Sequence, residues 1–155
     1  MTYHRAPTAQ VDPLVLYRLL RLRVQVFVVE QHCAYEDLDG RDVEPGTELL
    51  WATDGDEVLS TVRVLHDATA LRIGRVATAP AARSRGVAGE LMRRAVERCT
   101  ELDPTADIVL GAQAHLAPWY ARFGFAVDGE PYDEDAIPHL PMRRPAESRQ
   151  QGHSA

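Results

Sequence analysis

Residues 76–89 read Val76-Ala77-Thr78-Ala79-Pro80-Ala81-Ala82-Arg83-Ser84-Arg85-Gly86-Val87-Ala88-Gly89. An extended stretch ends at a proline, passes through small residues and two arginines, and opens a helix. Small residues let backbone N–H groups approach an anion closely. A helix N-terminus adds N–H groups without intrahelical acceptors and a favourable dipole. Arg83 and Arg85 supply charge-assisted hydrogen bonds suited to phosphate. The segment therefore reads as a phosphate or pyrophosphate site. Its plain alternative is a strand-to-helix connection with a surface arginine pair, because short glycine-containing loops are common. Neither G-x-G-x-x-G nor G-x-x-x-x-G-K-[ST] occurs, which sets aside dinucleotide and nucleoside-triphosphate loops of those types.

Working outward, the helix runs from about residue 87 to 102, with Val87, Leu91, Ala95 and Cys99 on one stripe and Val96 beside it. Asp103-Pro104 stops it. Upstream, strands are expected over 49–53, 58–65 and 71–78, parted by the turn signals Asp54-Gly55-Asp56 and Asp67-Ala68-Thr69. Downstream, 108–112 reads as a short buried strand. Residues 116–123 read as a short helix, with Pro118 in its first turn and Gly124 as its left-handed cap. Residues 125–127 and 139–143 read as closing strands. At the other end, Asp12 and Pro13 suit the cap and first position of a helix over 14–29. Its middle, 22–26, alternates as a strand would, but no turn residue interrupts the run. On a helix, Leu16, Leu20, Arg23, Phe27 and Glu30 share one side. Residues 32–46 form an acidic loop without EF-hand spacing.

The bulk properties fit this plan. A chain of 155 residues with 45% hydrophobic content makes one ordinary domain, expected over 1–144, with 145–155 a disordered polar tail. No apolar run is long enough to cross a bilayer, and residues 1–10 lack the apolar core of a secretory signal, so the cytoplasm is the expected location. A net charge of −6 argues against a nucleic-acid surface and tolerates an amine partner. Cys33 and Cys99 form no C-x-x-C pair and no zinc pattern; two reduced thiols are expected.

Two motifs carry a resemblance. Arg83-x-x-Gly86-x-Ala88 resembles the R/Q-x-x-G-x-G/A signature of the GNAT N-acetyltransferase superfamily. Downstream, Leu110-Gly111-Ala112-Gln113 and Trp119-Tyr120-Ala121-Arg122-Phe123-Gly124-Phe125, with its Tyr-x-x-x-Gly-Phe ending, resemble the second hallmark. The stretches 26–31, 37–40, 111–116 and 137–139 are similar to the ElaA-type branch of that superfamily. Together the resemblance spans roughly residues 14–144.

The resemblance implies an α/β (α+β) fold: a mixed, mostly antiparallel sheet flanked by helices and splayed at an acetyl-CoA site. It implies pantetheine contacts from Val76 and Thr78, and pyrophosphate contacts from the loop Arg83, Ser84, Arg85, Gly86, Val87, Ala88 and Gly89. Strand 108–112 would lie across the gap. Gln113 stands seven residues before Tyr120, where the superfamily often has Asn; its amide offers the same donors and acceptors on a longer arm. Tyr120 matches the position that protonates the leaving thiolate. Glu30, His115 and His139 are candidate bases toward the amine, each with an ordinary structural alternative, and water-relayed deprotonation competes with all three. Asp37, Asp39 and Asp42 either attract the amine or are solvated loop charge. The implied reaction is direct acetyl transfer from acetyl-CoA to a small-molecule or peptide amine, with no metal, nucleic acid or membrane involved, by a monomer or homodimer. Two rivals stand beside it: a non-catalytic acyl-CoA-binding sensor on the same fold, and an unrelated α/β interaction module.

Overall fold

Alternation along the strands builds a sheet that is covered on both faces. The computed structural model describes residues 1–152. Strands β1 (Thr2–Pro7), β2 (Glu48–Asp54), β3 (Glu57–His66), β4 (Ala70–Thr78), β5 (Asp107–Gln113), β6 (Ala126–Val127), β7 (Tyr132–Glu134) and β8 (Ile137–Arg144) join one sheet. Its order is β1-β2-β3-β4-β5-β8-β6, with β7 also pairing β8. Every pairing is antiparallel except β4 with β5.

Helix α1 (Pro13–Val24) and helix α2 (Val87–Leu102) pack on opposite faces. Leu49 and Trp51 of β2 join Leu19, Leu22 and Val26 on one side, while Leu50 and Ala52 join Leu91, Met92 and Ala95 on the other. This is the period-two alternation of a strand resolved into two cores. The expected α2 stripe of Val87, Leu91, Ala95 and Cys99 is fully buried. Asp12 caps α1 as its sequence predicts, accepting from the Leu14 and Val15 amides at 3.1 and 3.3 Å. Short helix α3 (Ala117–Ala121) precedes β6.

Four features depart from the sequence expectations. The helix expected over 14–29 changes to a π-helical turn at Gln25–Glu30. Strand β1 forms within residues 1–10, where the sequence predicts no element, with His4 stacked on Trp51 at 5.2 Å. Strand β7 forms a hairpin with β8. The tail expected to be disordered over 145–155 instead begins with the buried Ala146 and helix α4 (Glu147–Gly152), whose Arg149 pairs with Asp107; residues 153–155 lie outside the described residues. Cys33 and Cys99 are both free, and no helix among the described residues is long and apolar enough to cross a membrane.

Candidate active site

The site begins where the sheet fails to stay closed. Parallel pairing of β4 and β5 covers only Ala70↔Asp107, Leu71↔Ile108 and Arg72↔Val109. Beyond it, β4 continues to Thr78 and β5 to Gln113 without pairing each other. On its other edge β4 bulges: the register with β3 slips between Thr61 and Arg63, and Arg75 sits at φ 51. A bulge bends and twists a strand locally, and here it accompanies the divergence of β4 from β5.

A cleft of ≈ 460 Å³ fills the gap, lined by Ile73, Gly74 and Val76 from β4, Gln113 from β5, and Tyr120 from α3 among others. That volume suits a small-molecule site. Tyr120 is 8% exposed, and its ring meets Trp119 edge-on at 4.9 Å. Burial pushes its phenol up to about 12, so it stays a neutral proton donor at ordinary pH. Gly111 brings the β5 backbone close under the Tyr132 hydroxyl, which a Cβ at that position would strike.

Helix α2 starts beside the end of β4. Gly86 precedes it at φ 78, a left-handed conformation that favours glycine, and its absent Cβ would meet nothing within 4 Å. The first intrahelical amide is that of Glu90, bonded to the Gly86 carbonyl at 3.1 Å. The N–H groups of Val87, Ala88 and Gly89 are therefore open for an anion. Ser84 (φ 63) and Arg85 lie on the turn leading into α2.

The remaining expected site residues divide between the cleft and its surroundings. Thr78 does not line the cleft: its carbonyl accepts from Arg83 Nε at 3.2 Å, and its hydroxyl shares a hydrogen bond with Ser60 at 3.0 Å. Arg83 donates to both oxygens of Glu30 at 2.8 and 2.6 Å. That hydrogen bonding holds the Glu30 carboxyl below its usual range, so Glu30 serves as an arginine partner and is poorly suited to accept a proton. His115 is exposed on the turn before α3 and does not line the cleft. His139, on β8, does line it.

Comparison with known proteins fits this geometry. Residues 16–145 match the acetyltransferase (GNAT) domain model. The chain is 42% identical over 132 residues to protein ElaA of Escherichia coli, covering 83% of this chain and 86% of that protein. The chain belongs to the GNAT acetyltransferase family. The structure of E. coli ElaA superposes with a TM-score of 0.89 at 38% identity, covering 93% of this chain and 99% of that one. An acyl-CoA N-acyltransferase from Pseudomonas aeruginosa gives 0.88 at 39% identity, over the same shares. An aminoglycoside 6'-N-acetyltransferase complexed with coenzyme A shares the fold alone, with a TM-score of 0.72 at 13% identity over 94% of this chain and 97% of that one. The family excludes the unrelated interaction module.

In this GNAT protein Asp37, Asp39 and Asp42 of the acidic loop are each paired with arginines. All 17 basic residues are arginines, and several turn inward to meet the loop. Arg23, its side chain 2% exposed, donates to Asp37 at 3.0 Å and to Asp42 at 2.6 and 3.2 Å. Arg63 grips Asp39 at 2.9 and 3.1 Å, and Arg75 adds a further bond to Asp39 at 3.2 Å. The acids thus hold the loop onto the sheet beneath the cleft. The sequence marked the acids but gave no sign of their partners, because Arg23, Arg63 and Arg75 sit on separate elements.

Asp39 supplies a prediction with a definite sign. Burial would raise its carboxyl, but hydrogen bonds from Arg63 and the Arg41 amide, with the charges of Arg63 and Arg75, outweigh burial and hold it at about 2. A depressed folded-state pKa stabilises above the unfolded value, about 3.9, and that stability drains as pH falls toward the folded value. Acid unfolding of wild type should therefore steepen below about pH 4. Asp39→Asn should lower stability at neutral pH and flatten that acid limb in pH-dependent denaturant melts. Parallel curves for the two proteins would show that Asp39 titrates as an isolated surface carboxylate.

Proposed function

We propose that this protein transfers an acetyl group from acetyl-CoA directly to a primary amine. The observations supporting the reading are the splayed β4–β5 gap, the cleft there lined by Val76, Gln113 and Tyr120, and the open amides of Val87, Ala88 and Gly89 at the start of α2, which do not themselves line that cleft. The amides suit the pyrophosphate, with Arg85 and an Arg83 released from its exposed pair with Glu30 adding charge; exposed ion pairs are weak enough to exchange partners. The unpaired edge of β4 near Val76 suits the amide-bearing pantetheine arm, and Gln113 offers a further polar contact. Tyr120 is then the donor to the departing sulfur. Family membership and a fold-sharing aminoglycoside acetyltransferase that holds coenzyme A support the same reading.

Coenzyme A binding by calorimetry tests the anion cradle. Gly86→Asp and Gly86→Asn differ in charge and hardly in size, and both residue types tolerate the left-handed conformation better than others do. Gly86→Asp should weaken binding at least about tenfold relative to Gly86→Asn, the effect of about 1.4 kcal/mol of repulsion. Equal affinities in two folded variants would remove the pyrophosphate from the start of α2.

A further inference from the structure

We propose that His139 is the general base that deprotonates the acceptor ammonium, with Glu134 beside it as the carboxylate that receives that ammonium. The inference rests on the acetyl-transfer reading and adds to it the proton path and the charge of the acceptor. His139 Nδ1 lies 2.7 Å from the Ile137 carbonyl oxygen. A carbonyl only accepts, so Nδ1 carries the hydrogen, and the lone pair of the neutral form is the one at Nε2. Among the described residues no donor is hydrogen-bonded to that nitrogen, and Glu134 Oε2 lies 3.6 Å from it, beyond hydrogen-bond length.

The ring is held for this task. Tyr132 stacks on it at 5.6 Å and 27°, and the β5–β8 register sets His139 opposite Gln113, the last residue of β5, at the rim where the sheet opens. Tyr120 lines the same cleft. Charge in that cleft is unevenly spent. Arg41 and Arg72 pair with Asp67, and Arg63 and Arg75 pair with Asp39. Among the described residues, Glu134 and Asp135 on the β7–β8 hairpin are the carboxylates lining the cleft without an arginine partner, and they favour a cation beside His139.

The steps balance. The acceptor arrives as R–NH3⁺, and His139 Nε2 takes one proton and passes it to water. The freed nitrogen lone pair attacks the thioester carbonyl carbon, and the carbonyl π pair moves to oxygen. On collapse the carbonyl reforms, the C–S pair leaves with sulfur, and Tyr120 donates its phenolic proton to the thiolate. The nitrogen loses its second proton to restore the Tyr120 phenol. The products are R–NH–CO–CH3, CoA thiol and one solvent proton.

The test compares wild type, His139→Gln and Glu134→Gln with two acceptors: a lysine-containing peptide, which is an ammonium near neutral pH, and hydroxylamine, which is already unprotonated there. His139→Gln should lower kcat/KM for the peptide about 10²–10⁴-fold and abolish the acid limb of its pH profile, while changing the hydroxylamine rate and coenzyme A affinity little. Glu134→Gln should raise KM for the peptide more than for hydroxylamine. Among the described residues, the titratable groups against the ring are Glu134 and Tyr132, so Tyr132→Phe with an unchanged acid limb would support the histidine as its source. Equal losses on both acceptors, or a full peptide rate in His139→Gln, would overturn the base assignment while leaving acetyl transfer intact. A wild-type protein that acetylates neither acceptor nor any other amine would overturn the transferase reading, and the base falls with it.

Discussion

Tyr120→Phe is expected to lower kcat about 10²–10⁴-fold while leaving acetyl-CoA affinity and folding close to wild type. The substitution removes one hydroxyl and keeps the ring against Trp119, so packing barely changes. What disappears is a proton donor facing the cleft. Burial holds the phenol at about 12, which keeps it protonated throughout the working range and costs it driving force as an acid. A departing thiolate is itself tolerable, since thiols ionise near about 8.5, and this pulls the expected loss toward the lower end of the range. Pre-steady-state kinetics must show chemistry to be rate-limiting for the comparison to count. A wild-type kcat under that condition would make Tyr120 a core aromatic and assign the proton to water.

The largest stability effect should come from Arg23→Met. The guanidinium is buried and serves two carboxylates, and removing it leaves Asp37 with Arg75 at 2.9 Å and Asp42 with Arg63 at 3.4 Å as their remaining counter-charges. Breaking a buried pair from one side costs about 3–5 kcal/mol, a large part of the roughly 5–15 kcal/mol that holds a domain together. For a chain of this size that corresponds to a fall in Tm of about 6–20 °C. Adding Asp37→Asn and Asp42→Asn to Arg23→Met should recover much of the loss, because the under-compensated charge, more than the missing contact, carries the cost. A Tm drop of the same size in the triple variant would mean that packing of the Arg23 stem dominates.

The parts of the fold that were readable were those whose local chemistry and burial agree. Asp12-Pro13 caps α1 as its residues require, and the stripe of Val87, Leu91, Ala95 and Cys99 is the buried face of α2. Strands β2, β3 and β4 announced themselves by alternation and by the turns between them. What escaped did so for physical reasons. The β7–β8 hairpin turns on Asp135-Ala136, both at positive φ (50 and 65), where the usual signal is Asn-Gly. Strand β1 is short and mostly polar, and its place is set by pairing with β2 rather than by its own pattern. The π-helical turn at Gln25–Glu30 has no compositional mark, yet it helps bring Phe27 and Gln31 to the cleft and Glu30 to Arg83.

The site divides the same way. The proposed phosphate cradle rests on chemistry local to residues 83–89, and the left-handed Gly86 before α2 agrees with that reading. Val76, Gln113 and Tyr120 were placed by motif and share the cleft. Base candidates were not legible, because a carboxylate or imidazole is defined by its neighbours in space: Glu30 found Arg83, His115 found solvent, and His139 found Ile137 and Tyr132. The acidic loop was misread for the same reason, its arginine partners lying 14 to 38 residues away along the chain.

Amine-dependent release of free thiol from acetyl-CoA by the purified protein, read together with the mass of the amine product, tests the central claim most directly. The chain contains no lysine, so self-acetylation on side-chain amines cannot imitate an added acceptor. Thiol release should require both protein and a primary amine, and the amine should gain one acetyl group for each thiol released. Tight coenzyme A binding with no amine-dependent release across a panel of peptides, polyamines, small amines and aminoglycosides would contradict the account and leave an acyl-CoA-binding sensor on the GNAT fold.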